Sequence, residues 1–280
     1  EQDIPSEVQG EADEYREKLI EAVAEMNDDL LARYLEGGEI STQELKQGLR
    51  DGVVSGRLFP VFYASGLRGA GIQPLLDAII DYLPSPTDRP VVSGVNPKTH
   101  EPVQRKPDPA EPFSARIFKT LESPTGKLSV FVVCSGKVDG DSVVYNATRD
   151  TKERLGQLFH LDGKKQQPVT SALPGEVIAV TKLKDSHTGD TLCDEKAPIV
   201  LPALVEFPSV ISFALGLKSR GDEEKIMSSL HRLGEEDPAM KVGRDPQNND
   251  ILLSGAGQLH VEVLVEKLKR RYGVDVDLKS

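Results

Sequence analysis

The stretch Ser254-Gly-Ala-Gly-Gln-Leu-His-Val-Glu-Val-Leu-Val-Glu-Lys-Leu-Lys-Arg-Arg-Tyr-Gly273 decides how the rest of the chain is read. An apolar run, Ile251 to Leu253, leads into it, the chain turns through Gly255 and Gly257, and a helical period then begins. At 100° per residue Val261, Leu264, Val265, Leu268 and Tyr272 share one side of a helix. Lys267, Lys269, Arg270 and Arg271 crowd its end, where cations suit the helix dipole, and Gly273 stands at the C-terminal cap position. Leu259 and Val263 point about 160° away from the buried stripe. A helix lying on one sheet needs one apolar face, so this pair predicts a second surface against it, one that need not lie in this chain.

Working outward, a split βαβ arrangement surrounds that helix. Ile211, Phe213, Leu215 and Leu217 alternate as a one-faced strand. Asp222 is placed to cap a helix that carries Ile226, Met227, Leu230 and Leu233 inward. Strands follow at Met240–Arg244 and Ile251–Ser254, joined by the polar turn Asp245–Asp250. The helix comes next, and Val274–Leu278 is the last strand. Upstream the period is two. Short β-prone runs at Phe113–Thr120, Leu128–Val138, Ser142–Tyr145, Leu155–Leu161 and Glu176–Leu183 are separated by Pro-Thr-Gly, Asp-Gly and Pro-Gly turns, a pattern that argues for a small closed barrel. Prolines punctuate 84–112, so residues 88–109 read as a linker.

The first 87 residues predict helices at 6–26, Asp28–Leu35 and from Ser41, whose pairing with Glu44 is a capping-box pattern. Gly52 and Gly56 break that last period. A short strand is expected at Leu58–Tyr63, then a glycine loop over Ala64–Gly71 and a helix Ile72–Leu83, one edge of an α/β unit. The fold class is therefore multidomain α+β: 1–87 incomplete α/β, 110–205 an all-β barrel with its strands ending by 197, and 206–280 ferredoxin-like.

Of a net charge of −11, nearly all lies in residues 1–87, with 7 Lys/Arg against 17 Asp/Glu, while 88–207 hold 16 of each. The last two regions are thus free to present basic patches to phosphate. No run approaches the roughly 18 apolar residues of a membrane helix, so no membrane partner is expected. Cys134 and Cys193 lack CxxC spacing and read as free thiols of a reducing compartment. The first residues are neither Met nor a signal sequence, and both ends look cut.

No catalytic or metal constellation is legible. Gly126-Lys127, Gly136-Lys137 and Gly163-Lys164 lack the rest of a phosphate-cradling loop, and the five histidines have no metal spacing. His260-Val-Glu262 matches half of a zinc-deaminase signature with no PCxxC after it, which leaves His260 a structural or surface role.

Several motifs in fixed order carry a resemblance. Ser135-Gly-Lys-Val138, Val144-Tyr-Asn-Ala-Thr148, Lys152-Glu-Arg-Leu-Gly156, Thr188-Gly-Asp-Thr-Leu-Cys193, Lys196-Ala-Pro-Ile199, Glu235-Glu-Asp-Pro238 and Gly257-Gln-Leu-His-Val-Glu262 resemble elongation factor G, a ribosomal translocase and translational GTPase. Glu14-Tyr-Arg-Glu-Lys-Leu-Ile-Glu-Ala-Val23 and Leu75-Leu-Asp-Ala-Ile-Ile-Asp-Tyr-Leu-Pro-Ser-Pro86 look like the end of its GTP-binding domain. The resemblance implies an internal fragment: the tail of a G domain, the second-domain barrel and the third domain, with the remaining G domain upstream and further domains downstream. It implies GTP and Mg²⁺ as cofactors of the parent, none bound to the fragment, a cytoplasmic setting, and the ribosome (rRNA and small-subunit proteins) as partner.

Residue by residue, Ser65, Gly66 and Leu67 align with the family loop whose backbone amides meet the guanine oxygen. Gly66 stands where the family has Ala, which keeps the backbone contact and loosens the loop. Third-domain packing in the family implies that Leu259, Val263, Arg270 and Arg271 face a partner. Gln258 replaces the usual Glu, and Ser65-Gly-Leu-Arg-Gly-Ala-Gly71 departs from the translocase loop, changes that look more like the paralogues. Alternatives that remain are a non-catalytic ribosome- or rRNA-binding module, or a factor in ribosome protection, recycling or assembly.

Overall fold

The computed structural model describes residues 4–88, 91–123, 126–163, 165–204, 208–217 and 223–279. The chain divides into two compact units, Glu1–Arg89 and Pro90–Ser280.

The first unit is built on four helices: α1 (Gln9–Ala24), α2 (Asp28–Leu35), α3 (Thr42–Val54) and α4 (Ile72–Tyr82). Asn27 caps α2, its side chain accepting from the amides of Asp29 and Leu30. Ser41 and Glu44 form the reciprocal capping box expected at the start of α3. Helices α1 and α3 approach closely because Gly48 has no Cβ; one placed there would lie 2.4 Å from Val23 Cγ1.

Two expectations are corrected in this unit. Helix α3 runs through Gly52, which serves close approach instead of termination: a Cβ there would meet Leu58 Cδ1 at 2.5 Å. The chain leaves the helix four residues later, at Gly56, with φ +71°. The strand predicted over Leu58–Tyr63 is not one, since among the described residues no neighbouring strand lies alongside to complete a ladder. Phe59, Val61 and Tyr63 are 80%, 79% and 93% exposed, while Leu58 faces α3.

The second unit opens with a hairpin, β1 (Val92–Val95) and β2 (Pro102–Arg105), inside the segment expected to be a linker. Its prolines mislead because Pro102 takes the first position of β2, where a strand tolerates the missing N–H. Val95 exchanges backbone hydrogen bonds with Val200, and Val92 and Val103 pack on Tyr145, Ala147, Cys193, Ile199 and Leu201.

The barrel strands are β3 (Ser114–Ser123), β4 (Gly126–Ser135), β5 (Val138–Asp139), β6 (Val143–Asn146), β7 (Thr151–Arg154), β8 (Leu158–Asp162), β9 (Lys165–Val169), β10 (Ser171–Ala172), β11 (Val177–Thr181) and β12 (Thr191–Cys193). Eight pair antiparallel in the order β7-β6-β12-β3-β4-β11-β8-β9, and β5 pairs with β10. The sheet curls around Ile117, Phe131, Leu155, Leu158, Ile178 and Leu192, all fully buried.

Beyond it come β13 (Ile211–Leu217), α5 (Glu223–Glu236), β14 (Lys241–Arg244), β15 (Ile251–Gly255), α6 (Gln258–Lys267) and β16 (Val276–Lys279). Their sheet order, β14-β15-β13-β16 and antiparallel throughout, is the ferredoxin-like arrangement. The predicted stripe holds, with Val261, Leu264 and Leu268 at 0% exposure and Val265 and Tyr272 packed beside them. After Lys267 the helix widens by one turn through Tyr272 and stops at Gly273, φ +62°. The capping role given to Asp222 falls outside the described residues.

Candidate functional site

Three places in the molecule bear on function. The loop Ala64–Gly71 follows from its glycines. Gly71 has φ +74°, and a Cβ there would strike Tyr63 O at 2.6 Å, so only glycine lets the chain double back before α4. The Ser65 amide donates to Ala70 O at 2.9 Å and pins the base of the turn. At its tip Leu67 is 99% exposed. A Cβ at Gly66 would touch nothing within 4 Å, so the family's alanine fits this backbone without adjustment. Among the described residues no group accepts from the amides of Gly66 and Leu67, which leaves two backbone donors open to a carbonyl oxygen.

The outer face of α6 is the second. Leu259 is 73% exposed and Val263 39%, on the side away from the core. The two arginines part company: Arg271 Nη1 donates to Glu236 Oε2 of α5 at 2.7 Å, closing an internal ion pair, whereas Arg270 is exposed. The structure also pairs two residues that the sequence reading left apart. His260 Nδ1 accepts the Ala256 amide at 3.0 Å, so its proton sits on Nε2, which donates to Asp237 Oδ2 at 2.9 Å. This neutral tautomer ties the start of α6 to the turn after α5. Both residues lay in quoted motifs, Glu235–Pro238 and Gly257–Glu262, but nothing in a linear reading joins positions 23 apart.

The third is the seam where α5 meets the barrel. Lys127 of β4 and Glu235 of α5 form an ion pair at 3.1 Å, with the Lys127 side chain only 19% exposed. Beside it a cleft of about 480 Å³ opens between Phe118, Thr188 and Asp190 of the barrel and Asp237, Pro238 and Ala239. The barrel wall of this cleft is held by a buried polar cluster. Asp190 accepts from Arg149 Nε at 2.6 Å, Asn146 Nδ2 at 3.0 Å and the His187 amide at 2.9 Å. Burial, then the nearby Lys127 and Arg149, press the His187 imidazole below its usual range. On the far side of β6, Tyr145 donates to Asp150 at 2.7 Å, and this bond, with burial, pushes the phenol up to about 12. Burial likewise raises the Cys193 thiol. Neither is set up as a nucleophile.

The described residues contain no cluster of His, Cys, Asp or Glu suited to a metal ion. Nor is any described helix long and apolar enough to cross a membrane.

The barrel and the ferredoxin-like sheet each match a known family, in sequence order. Residues 112–195 match the model for elongation factor G domain 2, and residues 207–280 that for Elongation Factor G, domain III. The chain belongs to the elongation factor G family. Its likeness to elongation factor G extends past those two models: it is 45% identical over 278 residues to elongation factor G of Thermotoga sp. (strain RQ2), and 44% over 278 residues to that of Thermotoga maritima. Each alignment covers 99% of this chain and 40% of the relative, so the chain spans about two-fifths of the elongation factor G proteins it matches. A crystal structure from Thermus thermophilus superposes with a TM-score of 0.81 at 29% identity, covering 99% of this chain and 39% of that one.

Proposed function

We propose that this chain is the central part of a ribosome-dependent translational GTPase, in which GTP hydrolysis is coupled to movement of tRNA and mRNA during protein synthesis. The observation that carries this reading is the match of both domain models, in order, within a single 278-residue alignment to elongation factor G. In it, residues 1–87 end the GTP-binding domain, 110–205 form the second domain and dock on small-subunit ribosomal RNA, and 206–280 form the third. The Leu259–Val263 face of α6 packs against a partner surface, either a further domain of the same protein or the small subunit.

For the nucleotide, the fit is partial. The open amides of Gly66 and Leu67 suit the edge of a guanine, with Ser65 fixing the turn. The phosphates and Mg²⁺ need a glycine-lysine cradle, a pattern that Gly126-Lys127, Gly136-Lys137 and Gly163-Lys164 do not complete, and the described residues hold no His, Cys, Asp or Glu cluster suited to a metal ion. On this reading the chain by itself is expected neither to hold GTP tightly nor to hydrolyse it, the parent's chemistry being carried elsewhere in the longer protein.

Two measurements test the proposal. The full-length gene product should hydrolyse GTP many-fold faster with ribosomes than without, and support tRNA–mRNA movement in a reconstituted system. The 280-residue chain should show no GTP turnover above background. Ribosome-stimulated hydrolysis without movement would favour the paralogue reading, to which Gln258 and the loop Ser65–Gly71 lean.

A further inference from the structure

The last turn of α5 is weak by composition and held from outside. Gly234 lowers its helix propensity, and a Cβ built there would meet nothing within 4 Å, so packing does not require the glycine. Glu235, Glu236 and Asp237 then set three carboxylates in a row at the negative end of the helix dipole, where anions are disfavoured. No basic residue stands in that turn to offset them. Pro238 follows at once and keeps the helix from continuing.

Each of these carboxylates is met by a partner from a different part of the fold. Glu235 pairs with Lys127 of β4 at 3.1 Å, across the seam with the barrel. Glu236, its side chain 10% exposed, accepts from Arg271 Nη1 at 2.7 Å, in the widened turn that follows α6. Asp237 Oδ2 accepts from His260 Nε2 at 2.9 Å, at the start of α6. Its other oxygen accepts the Ala239 amide at 3.1 Å, and Ser209 Oγ donates to Ala239 O at 2.8 Å. Three consecutive residues thus join the barrel to both ends of the helix whose outer face carries Leu259 and Val263.

We propose that Glu235, Glu236 and Asp237 are positioning residues, a conditional turn through which the seating of α5 on the barrel governs how α6 presents its outer face; the proposal rests on the partner-facing role inferred above for that face and deepens it. The turn is ordered with its three partners in place and frays without them. Removing Lys127 leaves the Glu235 carboxylate unpaired at a helix end that already repels it, and the loss falls on the turn that Glu236 and Asp237 share. A frayed turn no longer fixes the His260 imidazole, whose Nδ1 accepts the Ala256 amide. The first turn of α6 then loosens, although Lys127 pairs with α5 and not with α6. On a stiff helix the three bonds would act independently. Gly234 makes this turn soft enough to respond.

The test reads amide hydrogen exchange by mass spectrometry over residues 256–263 of the 280-residue chain, then ribosome-stimulated GTP hydrolysis by the full-length protein. Lys127→Ala should speed exchange of that segment several-fold and Lys127→Glu should speed it further, while Lys127→Glu combined with Glu235→Lys should restore the parent's protection. Gly234→Ala stiffens the turn without touching any of the three bonds, and in its background Lys127→Ala should no longer speed exchange. Arg244→Ala, which breaks the ion pair with Glu223 at the opposite end of α5, should leave the segment as in the parent. Exchange unmoved by Lys127→Ala, moved equally by Arg244→Ala, or still moved in the Gly234→Ala background overturns the coupling. In the full-length protein Lys127→Ala should lower kcat at saturating ribosomes with KM for GTP unchanged, and the charge swap should recover it. Stimulated hydrolysis with a kcat indifferent to these variants overturns the positioning role and leaves the ribosome reading standing. Exchange that follows the expected order, in a full-length protein that ribosomes do not stimulate, supports the turn and sinks that reading instead.

Discussion

At the scale of single residues, most of what holds the barrel wall beside the cleft was invisible to pattern. Asp190 sits in a motif, Thr188–Cys193, yet nothing about that motif says that its carboxylate gathers Asn146, Arg149 and the His187 amide. Such a cluster is made by convergence of segments some forty residues apart, and only the fold brings them together. His187 inherits a measurable consequence. Its folded-state affinity for a proton is reduced, so the unfolded chain takes up a proton first as pH falls through about 6.5. Stability attached to this residue is fully present above that range and is lost progressively below it. His187→Gln should therefore flatten the fall in urea midpoint between neutral pH and pH 5, and an unchanged pH profile in the variant would assign the titration elsewhere.

Among elements, the sequence was most informative wherever one period ran uninterrupted. The α6 stripe, its glycine stop and the capping box of α3 all appear where expected, because local chemistry decides them. It was least informative for β7, β9 and β12, which are short, and the first two of which are largely polar. Their partners, not their own composition, make them strands. The hairpin β1–β2 was hidden by prolines for a similar reason. Glycines carry the sharpest contrast, since the same residue type does opposite things at two sites. Gly52→Ala improves helix propensity but drives a methyl to 2.5 Å from Leu58 Cδ1, and should cost about 1–3 kcal/mol in denaturant unfolding. Gly66→Ala meets open space and should leave unfolding unchanged to within about 0.5 kcal/mol. Equal effects at the two positions would refute this account of α3.

For the molecule as a whole, architecture was legible and assembly was not. Alternation followed by β-α-β-β-α-β order was enough to name the barrel and the ferredoxin-like sheet. The seam between them, with Lys127 against Glu235 and the cleft beside it, depends on long-range packing that no motif encodes. The outward face of α6, which we propose packs against a partner surface, can be tested at this scale. Leu259→Asp should leave the melting temperature of the 280-residue chain within about 2 °C of the parent, since a side chain 73% exposed contributes little to folding. In the full-length protein, on the function proposed above, the same change should depress ribosome-stimulated GTP hydrolysis. A destabilised chain with normal hydrolysis would mean the leucine serves its own domain.

The run Leu58–Tyr63 has a practical corollary. Its backbone has no ladder partner among the described residues, and three of its large side chains stand in water at roughly four-fifths exposure or more. Bare β-prone backbone of this kind is a template for pairing between copies. Dilute preparations of the polypeptide should behave as monomers, while concentrated ones should scatter light increasingly with time, and Val61→Lys, by seating a charge in that row, should suppress the clouding without altering the helical signal.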